Sequence, residues 1–210
     1  MKKKIFLGVY NPSIILTYIS VFCSIYGIGT LLLPREGTVI SEVTLAVILL
    51  VIAGVCDMFD GKIARMCKRT DKEKEFGVQL DSLADTVSFV VFPAVLLLYI
   101  TQMHIVSIII AMFYVFAGIM RLGWFNVTAE ENKGYFFGLP VTFAALIFPA
   151  FHLVAQFAHL SVRDYVYQIL YAVIGIAFIC NFRFKKPGLK FSIVMVLAAI
   201  AVIACLILLK

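Results

Sequence analysis

Long apolar runs alternate with short charged segments along this chain. Seven runs stand out, at about residues 12–33, 39–59, 78–100, 104–125, 139–158, 165–181 and 189–209. Each approaches the roughly 20 residues that a helix needs to cross about 30 Å of hydrocarbon; the sixth is the shortest. The pattern predicts an all-α, polytopic integral membrane helix bundle. The first run has no small-residue cleavage site after a short apolar core, so it reads as a span rather than a removable signal peptide. Pro12 suits the first turn of that helix, with Ser13 as a capping residue. Pro140 suits the start of the fifth, and Gly138 permits a close turn before it.

Composition agrees with the pattern. The chain is 63% hydrophobic with a mean hydropathy of +1.04, against about 45–50% apolar in soluble domains. No polar segment is long enough to form a separate soluble domain, so one membrane domain is expected. The net charge of +6 is no sign of nucleic-acid binding, because of where the charges lie. With the N-terminus inside, only Arg35, Arg163 and Lys210 of the 18 basic residues fall on the outer side. That bias predicts a cytoplasmic N-terminus and an inner surface that attracts anionic lipid head groups. Seven spans then put Lys210 outside. The segment from Met66 to Glu75 is the most charged and reads as a solvated inner loop. The five cysteines show no metal or disulfide spacing, and His104, His152 and His159 do not cluster with the acids.

Four aspartates break the hydrocarbon. On a wheel of about 100° per residue, Asp60 falls about −60° from Asp57, Gly61 about +40° and Ala64 about −20°. Two carboxylates therefore share a face with two residues of almost no bulk. On the next helix Gly77, Asp81 and Asp85 share a face too, with Ser88 one turn further on. The two helices flank one short loop, so they are antiparallel neighbours and the four acids converge near the inner membrane surface. Carboxylates at that depth are costly without a compensating partner. No Lys or Arg block shares their face, which points to a bound cation. All-oxygen ligation suits Mg²⁺ or Mn²⁺. Two ions on four Asp form an arrangement that clamps a phosphoryl or pyrophosphate group. A divalent-cation transporter is the rival reading, although a pathway would carry acids at several depths.

The full run is D-x2-D-G-x2-A-R-x11-G-x3-D-x3-D, from Asp57 to Asp85. It resembles the signature of the CDP-alcohol phosphotransferase family. FGVQLDSLAD at 76–85, RLGWFNV at 121–127 and FGLP at 137–140 are similar to the family's phosphatidylserine synthase branch. The chain departs from that branch at Gly123-Trp124 and at Thr142. Weaker similarity covers residues 12–187, behind a basic juxtamembrane segment at 1–11. Residues 188–210 look like an extra span added to a six-helix core.

The resemblance implies Asp57, Asp60, Asp81 and Asp85 as ligands of two divalent ions, Mg²⁺ or Mn²⁺, with Asp85 also the general base. It implies Gly61, Ala64, Arg65 and Gly77 as the binding surface for the CDP-linked lipid. Arg121, Asn126 and Ser82 are candidates for holding the acceptor alcohol. The implied reaction moves the phosphatidyl group of CDP-diacylglycerol to the hydroxyl of L-serine, giving phosphatidylserine and CMP. A sister reaction with glycerol 3-phosphate or inositol phosphate is the alternative. By the same resemblance a homodimer is expected.

Overall fold

The structure, a computed structural model, describes residues 8–33, 40–128, 135–157, 163–185 and 189–208. The protein is a polytopic membrane helix bundle. Among the described residues, four helices are long and apolar enough to cross a bilayer: Pro12–Leu32, Glu42–Met66, Asp71–Ile100 and Ile105–Thr128. Three shorter apolar helices, Val141–Gln156, Asp164–Ile179 and Ile193–Leu208, follow them.

A short 3₁₀ turn, Pro12–Ile14, leads into α1 (Ile15–Leu32). Pro12 does occupy the first turn. The cap is Asn11 rather than Ser13: the Asn11 side chain accepts the Ser13 N–H at 3.1 Å, and Ser13 is buried. Next comes α2 (Glu42–Met66), which makes its most extensive contact with α1. It runs seven residues past the apolar stretch, so Asp60, Gly61, Ala64 and Arg65 are all helical.

The segment expected as a loop from Met66 to Glu75 is mostly helix. The turn is only Cys67–Thr70, and α3 (Asp71–Asp85) starts at once. Thr70 and Glu73 explain this. The Thr70 hydroxyl oxygen accepts the Glu73 N–H, and the Glu73 carboxylate accepts the Thr70 N–H. Such a capping box satisfies two donors that would otherwise lack partners. The helix continues as a π segment, Thr86–Val91, and then α4 (Phe92–Ile100).

After α5 (Ile105–Thr128), strand β1 (Tyr135–Phe137) pairs antiparallel with β2 (Arg183–Lys185), Phe137 opposite Arg183. Gly138 turns the chain with φ +66°; a Cβ there would lie 2.7 Å from the Phe178 carbonyl oxygen. Its N–H donates to the Phe182 carbonyl at 2.9 Å. Pro140 stands just outside the following 3₁₀ turn rather than inside it, and α6 (Ala144–Phe157) follows. α7 (Arg163–Ile179) packs along α5, and α8 (Leu189–Leu208) leans on α2 and α6.

The core lies where α4, α5, α6 and α7 meet. Tyr114, Phe148, Tyr171 and Phe178 form an aromatic cluster there, with Phe148 and Tyr171 stacked at 4.0 Å between ring centroids. α1 joins it through Gly27, where a Cβ would overlap the Phe92 ring. All five cysteines are free thiols. His152 is a packed side chain, its Nδ1 2.6 Å from the Tyr167 hydroxyl; His159 lies outside the described residues, as do residues 1–7 of the N-terminal segment.

Candidate functional site

The turn at Cys67–Thr70 brings α2 and α3 back past each other, and their acids meet across the gap. Ligand oxygens of Asp57, Asp81 and Asp85 all lie within 4.8 Å of one another. Two cross-helix contacts match the antiparallel order, Asp57 with Asp85 and Asp60 with Asp81. Carboxylates can sit this close only with a proton or a cation between them. No Lys or Arg forms an ion pair with any of the four among the described residues. The donor set is all oxygen, which suits a hard divalent cation. Asp57, Asp60, Asp81 and Asp85 are thus the residues that could hold one.

A third helix supports the set. Thr17 of α1 is buried, and its hydroxyl donates to Asp60 Oδ2 at 3.0 Å. That bond fixes one carboxylate oxygen of Asp60. Ser88, one turn beyond Asp85, accepts the Ser20 hydroxyl of α1 at 3.1 Å.

Beside the acids is an open cavity of about 300 Å³. Gly61, Ala64, Arg65 and Gly77 all line it, together with Asp60, Asp81 and Thr17. A Cβ at Gly61 would meet nothing within 4 Å, so the glycine leaves room at that point of the wall. Arg69 and Lys74 complete the rim. α2 and α3 both overshoot the acids, α3 by ten residues before Asp81, or about 15 Å of helix. The overshoot carries those cations. A wall of backbone-close small residues, acids below and guanidinium above suits a phosphate-bearing ligand bridged by metal.

A second cavity, about 490 Å³, opens between α5, the C-terminal end of α7 and the β1–β2 pair. Arg121, Arg183, Thr128 and Asn181 are its polar lining, and no acid among the described residues lines it. Arg121 is buried, stacks 5.2 Å from the Phe125 ring centre, and its Nε has no hydrogen-bond partner. Burial is the main electrostatic influence on its guanidinium, offset by attraction to the Asp85 carboxylate. Ser82 and Asn126 do not face this cavity. They bond to each other, Ser82 Oγ to Asn126 Oδ1 at 3.1 Å and Asn126 Nδ2 to Ser82 Oγ at 2.8 Å, tying α3 to α5.

A family model described as CDP-alcohol phosphatidyltransferase matches residues 10–180. The chain belongs to that family. The match takes in both acid-bearing helices and stops before α8. Among curated relatives, the chain is 37% identical over 117 residues to "Archaetidylserine synthase" of Methanothermobacter thermautotrophicus, covering 55% of this chain and 49% of the relative. It is 37% identical over 100 residues to "CDP-diacylglycerol--serine O-phosphatidyltransferase" of Saccharomyces cerevisiae, covering 43% and 35%. To the protein of that name from Methanocaldococcus jannaschii it is 32% identical over 132 residues, covering 63% and 59%. The matched stretches thus span between a third and three fifths of these relatives' lengths.

Sequence reasoning missed three contributors to the two cavities. Thr17 and Arg183 reach the cavities from elements far from the signature, and no spacing rule links them to it. Arg69 lies in the tight turn Cys67–Thr70, and its place on the rim follows from how that turn folds back over the acids rather than from any spacing.

Proposed function

We propose that this protein transfers the phosphatidyl group of CDP-diacylglycerol to the hydroxyl of L-serine, forming phosphatidylserine and CMP, with two divalent ions bound by Asp57, Asp60, Asp81 and Asp85. The observation that carries the reading is the convergence of those carboxylates beside a cavity lined by Gly61, Ala64, Arg65 and Gly77. Serine as acceptor is supported by the names of the relatives, each of which contains it.

The nucleotide diphosphate end of the lipid would lie along Gly61, Ala64 and Gly77, with Arg65 and Arg69 on its phosphates. Bound Mg²⁺ or Mn²⁺ would neutralise the pyrophosphate and the charge growing on CMP as it leaves. Asp85 takes the proton from the serine hydroxyl. The serine oxygen attacks the phosphorus that bears diacylglycerol, the pyrophosphate P–O bond breaks, and CMP departs. Arg121 lies on the Asp85 side of α5 and offers a guanidinium to the serine carboxylate; Ser82 and Asn126 hold the two helices between which the acceptor enters. The active site faces the cytoplasm in this reading, beneath the basic overhang, and the protein works as a homodimer.

The test is CMP release from CDP-diacylglycerol by the purified protein with Mn²⁺ or Mg²⁺ and each candidate alcohol. Release with serine, lost on chelation and restored by metal, is expected. Release with glycerol 3-phosphate or inositol phosphate but not serine would overturn the acceptor. Divalent-ion flux in liposomes with no CMP release would overturn the enzyme.

A further inference from the structure

The helix that carries Asp81 and Asp85 is not α throughout. Immediately after Asp85, Thr86–Val91 winds as a π-helix, and the Phe92 N–H reaches back five residues to the Val87 carbonyl. A π turn holds one residue more than an α turn and is seldom stable without outside support. One extra residue rotates everything on one side of it by about 100° relative to the other.

Two features hold the segment in this form. Pro93 has no N–H, so it cannot make the α-type bond to the Phe89 carbonyl four residues back. That carbonyl belongs to a fully buried residue, and it accepts the Tyr114 hydroxyl of α5 at 2.8 Å. On the other flank Ser88 accepts the Ser20 hydroxyl of α1.

α4, beyond the π turn, cannot rotate. Phe92, Leu96 and Leu97 are fully buried, and the Phe92 ring fills the notch at Gly27. If the segment relaxed to α-helix, the half that would swing is α3, with its acids.

We propose that Tyr114 is a positioning residue. By occupying the Phe89 carbonyl it keeps Thr86–Val91 in the π form, and so sets the angle at which Asp81 and Asp85 face Asp57 and Asp60. The inference rests on the metal reading of the four acids only for its first readout, so a second is independent of it.

Tyr114→Phe keeps the ring and its packing and removes only the hydroxyl. Mn²⁺ binding, followed by the electron paramagnetic resonance of free Mn²⁺, should weaken about tenfold, the scale of leaving one buried carbonyl unpaired. Tyr171→Phe is the control: it sits in the same aromatic cluster, but its hydroxyl has no partner, and Mn²⁺ affinity should not change. Pro93→Ala restores an N–H that competes for the Phe89 carbonyl, and it should weaken binding as Tyr114→Phe does.

The second readout needs no metal. In a background with the five native cysteines replaced, the pair Asp60→Cys and Asp81→Cys should cross-link under copper–phenanthroline. Adding Tyr114→Phe should cut the yield severalfold. Equal yields with and without the hydroxyl, or no cross-link while Tyr114 is intact, overturn the proposal. Absence of Mn²⁺ binding in the unaltered protein sinks the metal reading instead, and the cross-link still decides this one.

Discussion

Replacing Gly61 should separate stability from activity. The residue lies inside α2, five positions from its end, and its missing side chain opens onto the cavity of about 300 Å³. Glycine in a helix interior costs about 0.5–1 kcal/mol relative to alanine. With nothing within 4 Å of the added Cβ, Gly61→Ala gains that term without a clash, and thermal unfolding in detergent should rise by about 1–4 °C for a chain of this size. Gly61→Leu fills the same space with a branched side chain. If the CDP-linked lipid lies there, accommodating it costs about 1–3 kcal/mol, as in an overfilled core. That corresponds to a fall of about 5–150-fold in kcat/KM, read as CMP release. The control is Gly27→Ala, whose Cβ would overlap the Phe92 ring; it should lower the unfolding temperature instead. Gly61→Leu with unchanged kcat/KM would refute the placement of the lipid. A lowered unfolding temperature for Gly61→Ala would refute the reasoning about the helix.

Asp85→Asn should leave the unfolding temperature near that of the unaltered protein and reduce CMP release by about 10²–10⁴-fold, the usual worth of a general base; near-normal turnover would remove Asp85 from that role. Thr17→Val deletes the bond to Asp60 Oδ2 while keeping the shape of the side chain. The Mn²⁺ concentration for half-maximal activity should rise about 10–100-fold, as when other outer partners of metal ligands are lost, and an unchanged metal titration would count against Asp60 as a ligand. Arg121→Gln should raise the KM for serine by about 10–150-fold, the scale of a charge-assisted hydrogen bond, while the KM for CDP-diacylglycerol stays put. If both KM values move together, Arg121 supports the bundle rather than the acceptor.

The four aspartates were legible in the sequence for a physical reason. A carboxylate in hydrocarbon is so costly that its spacing on a helix face carries information, and in the structure Asp57, Asp81 and Asp85 lie together with Asp60 beside Asp81. Gly61, Ala64 and Gly77 followed from the same wheel, because α2 and α3 are regular where they lie. The start of α3 was legible too, in the Thr70–Glu73 capping box, but the charge of that stretch drew the reading toward a loop. Charge and helicity are compatible when the helix projects beyond the bilayer.

What the wheel could not foresee is any departure from 3.6 residues per turn. It gave Ser88 no partner outside the acids, whereas Ser88 lies inside the π turn and accepts the Ser20 hydroxyl of α1. Only Pro93 marks that turn in the sequence, and a proline alone does not say whether a helix kinks, ends or widens. Contacts between distant elements were equally hidden. Thr17 reaches Asp60 across 43 positions and Ser82 reaches Asn126 across 44, distances set by how helices cross rather than by local pattern. The chemistry-bearing residues are therefore written locally, on two helices joined by a tight turn. The angle between them is written elsewhere, in α1 and α5, through Thr17, Ser20 and Tyr114. A sequence that kept the signature but lost those three hydroxyls would keep its ligands and lose their geometry.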